Sequence, residues 1–571
     1  MYNSKAMQVP SFFKKIFTFF LLSAGSIDLH EEDGKRQGFA SFLLLVCTDC
    51  SAVHQFCTSN KKGAKSAHAV NELSTFAFRT FGAGHAALSK FAEVMNMPKP
   101  VGHKSVKEHI ANAVNALESQ VKTSMTTAAA EIGTEDVEVS YDGSWSHRGF
   151  TAAYGFGSVV SVKTGKVLDY HMASKVCSQF AVWDQKDPDH SSDKWKQWKE
   201  QHDEECTLNH AGSHRAMEAD IAEVLWCRSE EENKLRYMVF VGDGDGSSFG
   251  RIAKLKPYGD GPEAAVVKED CLGHIQTRMG TKLREVKRTY KGRKLADGKG
   301  IGGKQRMTNK KINDFQVYYG KAIRSNVGNV EAASNAVMAI FMHSISTDKE
   351  PKHHLCPDTP TSWCGYQQSL RLNKAFSHKA PLPEAVAEVI KPVFTALADK
   401  ALLARCMKGL TQNTNEALHA AMWNIAPKHL FNQPQVMFFA AAMATGIFND
   451  GHVFLANVIQ RLGYDIGPHT LAAMESADKE RIRKARQEEK AQAKEERKKR
   501  RKKKHAKEDT AMEKEGVMYE PGGFGPDGHL ITIPETETSK RKCASERKCR
   551  KCKQPMKGHK RGQACPSVQT D

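Results

Sequence analysis

Two short apolar runs in this chain each end on an aspartate that is followed by glycine. They are residues 137–142, ending on Asp142, and residues 237–243, ending on Asp243. Both runs are rich in β-branched and aromatic residues, which favour strands, and the glycine leaves room for something to approach the acid. Each run alone is also typical of a plain Asp-Gly turn. Together, two carboxylates at strand ends predict a site for divalent metal ions.

A third acid follows much later in the chain. Glu416 falls in the first turn of a predicted amphipathic helix at 415–423, where polar capping residues and the helix dipole favour an anion. A lone glutamate in such a position is usually only a dipole partner. Two strand-end aspartates and a helix-borne glutamate are the acid order of an RNase H-like nuclease, whose paired Mg²⁺ ions lie about 3.5–4 Å apart. We therefore predict an α/β fold with an RNase H-like core, a mixed sheet flanked by helices.

Several sequence strings, all in one order, carry a family resemblance. They are DGSW-x2-RGF at 142–150, VVSVKTGKVLDY at 159–170, VGDGD at 241–245, KEDCLGHIQTRMG at 268–280, HLCP and SWC within 354–364, and TQNTNE at 411–416. A further string, FRTFGAGHAALSKFAEVMNMPKP at 78–100, precedes them. From about residue 40 to residue 455 the chain therefore resembles the Mutator-like and Kolobok-type DDE transposases.

The resemblance implies that Asp142, Asp243 and Glu416 are the catalytic residues and the ligands of Mg²⁺ or Mn²⁺. Asp245 is the alternative second acid and a further metal ligand, since the Asp-Gly-Asp loop offers two carboxylates. Such enzymes cleave DNA at transposon terminal repeats and transfer the freed strand to target DNA, generally as homo-oligomers on DNA. The alternative is a catalytically inactive, transposon-derived nuclear protein that binds DNA. A secreted cysteine-rich protein is a third interpretation.

Hydropathy patterns divide the chain into five regions. We expect a degenerate zinc-ribbon-like region at 1–66 with one strand at 42–46, and a helical region at 67–133. The transposase domain follows at 134–470, with a hairpin around Thr164-Gly165 and a helical insertion at about 270–405. A basic helix or disordered segment at 471–510 precedes a linker and a zinc-knuckle-like tail at 511–571, and this basic C-terminal part is expected to be largely disordered.

Cysteine and histidine pairs with two intervening residues have the spacing of metal ligands. Cys271 with His274 and His353 with Cys356 are mirrored pairs that together offer a closed tetrahedral zinc site. Cys364 is an alternative ligand or a core residue. Buried cysteines and surface histidines without a metal are the other interpretation. A weaker set, with no fourth ligand evident beside it, comprises Cys177, His202 and Cys206.

Positive charge is concentrated towards the C-terminus. Residues 479–507 carry a net charge of +11 and residues 540–561 carry +10, against +19 for the whole chain, so the remainder is near neutral at −2. Such tails are typical of polyanion binding. A run of eight basic residues predicts a nuclear localisation signal or a DNA-backbone contact, unless it is only a solvated helix: Arg497, Lys498, Lys499, Arg500, Arg501, Lys502, Lys503 and Lys504. A zinc knuckle, which would bind nucleic acid, is predicted from Cys549, Cys552, His559 and Cys565.

The N-terminus departs from the family pattern, which has two cysteine pairs in a zinc ribbon. Here Cys47 and Cys50 form a single pair, with His54 and Cys57 nearby, which leaves sequence-specific DNA binding open. Residues 12–24 place two lysines before a nine-residue, largely apolar run in the manner of a weak signal peptide, but the run is too short to span a bilayer and we interpret the segment as buried structure. The cysteine spacing fits a reducing compartment, and we expect the nucleus and no membrane association.

Overall fold

The computed structural model describes residues 26–489, except 33, 64–65, 147–151, 204–205, 214–215, 245 and 431. Several predicted features therefore lie outside the described residues. They are the segment at 12–24, Asp245, the basic run at 497–504, and the predicted knuckle ligands Cys549, Cys552, His559 and Cys565.

The N-terminal region contains a small antiparallel sheet. Its strands β1 (Ile27–Glu31), β2 (Phe42–Cys47) and β3 (Val53–Cys57) are paired in that order. β2 confirms the strand predicted at 42–46. The expectation of a single strand in this region is wrong, because the backbone of β2 pairs with a strand on each side.

Three helices follow this sheet, as the apolar spacing at 70–132 predicts. They are α1 (Ala69–Thr80), α2 (His85–Val94) and α3 (His103–Ala130). The buried residues of α3 recur every three or four positions along its length, which gives the helix one continuous apolar face: Val106, Ile110, Ala113, Leu117 and Val121.

A five-stranded mixed sheet forms the centre of the molecule. Its strands are β4 (Asp136–Trp145), β5 (Tyr154–Ser161), β6 (Val167–Ser174), β7 (Arg236–Gly242) and β8 (Val267–Asp270), in the order β6-β5-β4-β7-β8. The first three form an antiparallel meander, as predicted, and β7 and β8 run parallel to β4. Gly165 in the turn from β5 to β6 has a φ of +70°, a conformation that favours glycine. The α/β class and the mixed sheet flanked by helices are confirmed.

Between β6 and β8 the described residues form five α-helices: α4 (Ser178–Lys186), α5 (Asp193–His202), α6 (Ala216–Cys227), α7 (Ser229–Asn233) and α8 (Gly246–Leu255). Helix α6 packs on one face of the sheet. Its buried residues Met217, Ile221 and Leu225 recur every fourth position and join Val139 and Tyr141 of β4 in one hydrophobic cluster.

Six helices follow β8, which confirms the predominance of helix predicted for 270–405. They are α9 (Leu272–Thr289), α10 (Asn309–Arg324), α11 (Val330–Ile345), α12 (Gly365–Arg371), α13 (Glu384–Leu397) and α14 (Lys400–Ala404). These helices have a hydrophobic core of their own, in which Phe315 and Phe341 both pack against Phe394.

The last four described helices are α15 (Asn413–Ile425), α16 (Pro434–Asp450), α17 (Val453–Arg461) and α18 (Pro468–Glu489). The second face of the central sheet is covered by α15, α16 and α3, since Leu418 and Phe439 cluster with Phe156 of β5. Helix α18 is largely exposed, as its charged composition predicts. Among the described residues, no helix combines the length and the apolar character that crossing a membrane requires.

Candidate active site and metal centre

Asp142 lies on β4, and Asp243 directly follows the adjacent parallel strand β7. In the pairing of β4 with β7, Ser140 lies opposite Val241, and an aspartate follows two residues after each of them. Residues two apart on a strand point to the same face, so Asp142 points, like Ser140, towards the face covered by α15, and Asp243 lies at the same end of the sheet. The predicted end of the first strand is corrected, because β4 continues past Asp142 to Trp145 by pairing with β5.

Asp142 is half-buried beside a buried histidine. The Nδ1 atom of His419 on α15 lies 3.4 Å from Oδ2 of Asp142. Its Nε2 atom lies 3.3 Å from Oγ of Ser158, the residue opposite Asp142 on β5. The side chain of His419 is only 7% exposed, so the ring is held between these two groups.

Two amide side chains fix the start of α15 to β4. Asn415 is fully buried, and its Nδ2 donates to the carbonyl of Ser140 at 3.2 Å. Gln412, at the N-cap of α15, donates from Nε2 to the carbonyl of Tyr141 at 2.7 Å. The two acceptors immediately precede Asp142, so the first turn of α15 lies against the segment that carries this aspartate.

Glu416 is an exposed residue of that first turn. His419 lies three positions further on the same face of the helix. One turn later, Trp423 donates from Nε1 to Oγ of Ser144 on β4 at 2.8 Å. This face of α15 therefore follows β4 outward from Asp142, and the turn that carries Glu416 lies against the Asp142 segment of β4. The carboxylate oxygens of Asp142, Asp243 and Glu416 do not all lie within 4.8 Å of one another.

Cys271 and His274 lie beside the acids. The backbone N–H of Cys271 donates to the carbonyl of Gly242 at 2.7 Å, and its thiol accepts from the N–H of Gln412 at 3.3 Å. A hydrogen bond to Cys271 raises the pKa of His274 to about 9, although burial by itself would lower it. The negative charge of Asp243 adds to the rise.

The zinc site predicted from Cys271, His274, His353 and Cys356 does not form as one set. Cys271 and His274 lie at the start of α9, which is hydrogen-bonded to the end of β7. His353 and Cys356 lie in the loop after α11. The tertiary structure gives the second pair other partners. The resulting group, here named the Cys2His2 cluster, consists of His343, His353, Cys356 and Cys364.

The ligand atoms of the Cys2His2 cluster have the spacing of a tetrahedral zinc site. The Nδ1 atoms of His343 and His353 are 3.2 Å apart. The four distances from these nitrogens to the sulfurs of Cys356 and Cys364 are between 3.4 and 3.8 Å. Zn–N and Zn–S bonds of about 2.05 and 2.3 Å at tetrahedral angles give about 3.3 Å between nitrogens and about 3.6 Å between nitrogen and sulfur. The cluster could hold a metal ion such as zinc.

His353 is also prepared for this role by its surroundings. Its second ring nitrogen, Nε2, lies 2.8 Å from Oγ of Ser346, a contact that fixes the orientation of the ring. Burial, reinforced by neighbouring histidines, lowers the pKa of His353 to about 4. The ring is therefore neutral, which is the form that binds metals.

A second group of potential ligands contains Cys177, His202 and Cys206, as the weaker sequence set predicts. No further group of this kind occurs among the described residues, so the N-terminal Cys47 and Cys50 are not part of one. In that region, the thiol of Cys57 instead lies 3.5 Å from Nδ1 of His68.

The fold and these sites can be compared with known families. The chain matches the family model described as Mutator-like transposase over residues 20–364. This match covers more than half of the chain, and the protein belongs to the Mutator-like transposase family. Asp142 and Asp243 lie within the matched residues, whereas Glu416 lies beyond them. The comparisons with curated proteins and with solved structures gave no match.

The sequence interpretation did not include His419 or His343. The sequence could have indicated His419, because it lies three residues after Glu416 and therefore on the same face of a predicted helix. His343 had no such signal. It lies in the last turn of a largely apolar helix, and its place in the cluster depends on a loop that folds back onto that helix.

Proposed function

We propose that this protein is a DNA transposase with an RNase H-like core, whose nuclease centre consists of Asp142, Asp243 and Glu416. The observation that supports the proposal is the register of β4 and β7, which brings Asp142 and Asp243 to the same end of the sheet. The docking of α15 through Gln412 and Asn415 adds the turn that bears the glutamate. Asp245 is the alternative second acid.

The residues of this centre fit divalent Mg²⁺ or Mn²⁺. Hard cations prefer oxygen ligands, and carboxylates supply them. Among the described residues, buried side-chain oxygens of Gln412 and Asn415 lack a hydrogen-bond partner at the same end of the sheet, which suits a centre that binds ordered water or a ligand. Bound ions would activate the attacking oxygen and stabilise the leaving one.

The protein's own residues position these acids and the DNA. His419 orients the carboxylate of Asp142, and Asn415 and Gln412 hold α15 against β4. In the reaction we propose, a water oxygen attacks a phosphorus at the transposon end, and the bond to the 3′-oxygen breaks to release a 3′-hydroxyl. That hydroxyl then attacks a phosphorus of target DNA, forms a new phosphodiester and displaces the target's own 3′-oxygen. Action in the nucleus, as a homo-oligomer on paired DNA ends, is part of the proposal.

The Cys2His2 cluster is proposed to bind zinc as a structural ion. Two thiolates and two imidazoles are a common set of ligands for structural zinc. The distances between the nitrogen and sulfur atoms of the four side chains fit a closed tetrahedron. The ion would tie the end of α11 to the start of α12, where Cys364 is the N-cap.

A strand-transfer assay tests the nuclease centre. The substrate is DNA carrying the inverted repeats that flank the gene, and the variants are Asp142→Asn, Asp243→Asn and Glu416→Gln. Each is expected to lower the rate by more than about 100-fold, because loss of a metal ligand exceeds the 10–100-fold effect of its outer-shell partners. The control is Glu388→Gln, an exposed residue of α13.

The results of this assay distinguish an active transposase from a catalytically inactive DNA-binding protein. Full activity in the Asp142→Asn variant would eliminate the catalytic assignment. A wild-type protein that binds the repeats but transfers no strand would instead be a transposon-derived DNA-binding protein.

A further inference from the structure

A helical hairpin between β6 and α6 has almost no hydrophobic core. It consists of α4 and α5, at residues 178–202. No residue of α4 is buried, and α5 buries His202 alone. None of the hairpin residues belongs to the three hydrophobic clusters of the described structure. Small modules without a core commonly depend on a disulfide or a metal ion for stability.

Aromatic rings stack within the hairpin, and the stack ends on His202. The rings of Trp183 and Trp198 are 5.2 Å apart and inclined by 22°. Trp198 stacks in turn on His202, at 4.6 Å and 19°. Two stacked pairs recover less free energy than is lost when the backbone of some twenty-five residues is ordered. Stacking alone is therefore insufficient to fix the two helices.

Three metal-ligating side chains meet at the base of the hairpin. Cys177 is the N-cap of α4, His202 is the last residue of α5, and Cys206 follows shortly after it. Sγ of Cys177 lies 3.1 Å from Nε2 of His202. The ligand atoms of all three residues lie within 4.8 Å of one another. These residues thus join the point where the chain enters the hairpin to the point where it leaves.

The chemistry of the three groups favours zinc. Thiolates together with imidazole select zinc over magnesium or calcium, which prefer oxygen ligands.

We propose that Cys177, His202 and Cys206 bind a zinc ion that fastens this hairpin to the central sheet, with water in the fourth position. Segments on both sides of the site hold it against β6. Thr207 donates from Oγ1 to the carbonyl of Val176 at 2.8 Å, and Asn209 accepts from the N–H of Ser174 at 2.7 Å. The site is separate from the three acids and from the Cys2His2 cluster, so it does not depend on the proposed nuclease activity.

Metal analysis of the purified full-length protein tests this site. Cys177→Ser and His202→Ala are expected to lose one zinc ion per chain relative to the wild type. His202→Cys, which replaces one zinc ligand by another, is expected to retain it. The matched control is Cys227→Ser, an exposed cysteine at the end of α6 that belongs to neither ligand group.

Two further measurements distinguish loss of the site from general unfolding. With cobalt(II) in place of zinc, the thiolate-to-metal absorption should weaken in Cys177→Ser and persist in His202→Cys. Limited proteolysis of Cys177→Ser should produce new cleavage confined to residues 178–206. Unchanged zinc content in both loss variants, cleavage throughout the chain, or a disulfide between Cys177 and Cys206 in the unreduced protein would each overturn the proposal.

Discussion

At the scale of single residues, the arrangement around Asp142 depends on one buried histidine. His419 contacts this carboxylate through one ring nitrogen and approaches Ser158 through the other. An outer-shell partner of this kind fixes the orientation of a metal ligand, and its loss typically lowers metal affinity or activity by about 10–100-fold. His419 therefore belongs to the proposed centre as a positioning residue.

Replacement of His419 tests that role. His419→Ala is expected to lower strand-transfer activity by about 10–100-fold and to raise the Mg²⁺ concentration needed for half-maximal activity. His419→Gln, which can still donate to Asp142, should recover part of both quantities. His469→Ala, at an exposed position of α18, is the control. An unchanged Mg²⁺ requirement in His419→Ala would show that this histidine serves only packing.

Asn415 is a buried polar residue whose role is to position a helix. Its amide donates to the carbonyls of Ser140 and Ser158, on two different strands. A buried carbonyl without a partner costs about 1–3 kcal/mol, so this amide determines where α15 docks. The sequence string that contains Asn415 suggested only the neighbouring glutamate.

At the scale of elements, the Cys2His2 cluster connects α11 to α12 across a loop with no regular secondary structure in its centre. Residues 346–364 follow the end of α11, and their fold brings His353 and Cys356 against His343. A metal ion would provide the constraint that this loop lacks.

Removal of one ligand tests the zinc assignment. Cys364→Ser is expected to release one zinc ion per chain and to lower the midpoint of thermal unfolding, because binding free energy at a structural site is folding free energy. Zinc content and circular dichroism on heating measure both effects. Cys50→Ser, at an exposed cysteine outside the ligand groups, is the control. Retention of all zinc by Cys364→Ser would contradict the assignment.

At the scale of the whole molecule, charge is distributed very unevenly. Outside the two basic C-terminal segments the chain has a net charge of −2, yet residues 271–311 contain thirteen Lys and Arg and only two Asp and Glu, a net charge of +11. This segment begins where Cys271 is bonded to the end of β7, next to Asp243. We infer that α9 and the loop after it guide the DNA backbone towards the acids.

Neutralising exposed lysines of that loop tests the inferred DNA path. The triple variant Lys291→Gln, Lys294→Gln, Lys299→Gln is expected to bind DNA of any sequence more weakly. The slope of log affinity against log salt should fall by about 0.9 for each DNA phosphate that the variant no longer neutralises. The same change at exposed residues of α2, α3 and their connection is the control: Lys90, Lys99 and Lys104. Equal effects in the two triple variants would refute the path.

Some of this molecule could be predicted from local sequence patterns. Short runs rich in β-branched and aromatic residues predict β4 to β7, a periodicity of three to four residues predicts α1 to α3, and the Thr164-Gly165 turn predicts the hairpin of β5 and β6. Asp142 and Asp243 were also identifiable, since an apolar run followed by an aspartate and a glycine is a feature of a few neighbouring residues. Local patterns of this kind determine backbone conformation and which side chains share a face.

The partners of His353 and Cys356 were decided only by the tertiary structure. Their spacing predicts two metal ligands, but the spacing is equally compatible with any other pair in the chain. The packing of the loop after α11 selected His343 and Cys364, while the start of α9 carried Cys271 and His274 to the acids. A metal site needs ligands from distant segments to meet within a few ångströms, and that meeting is fixed by how whole elements pack around a core rather than by residue spacing.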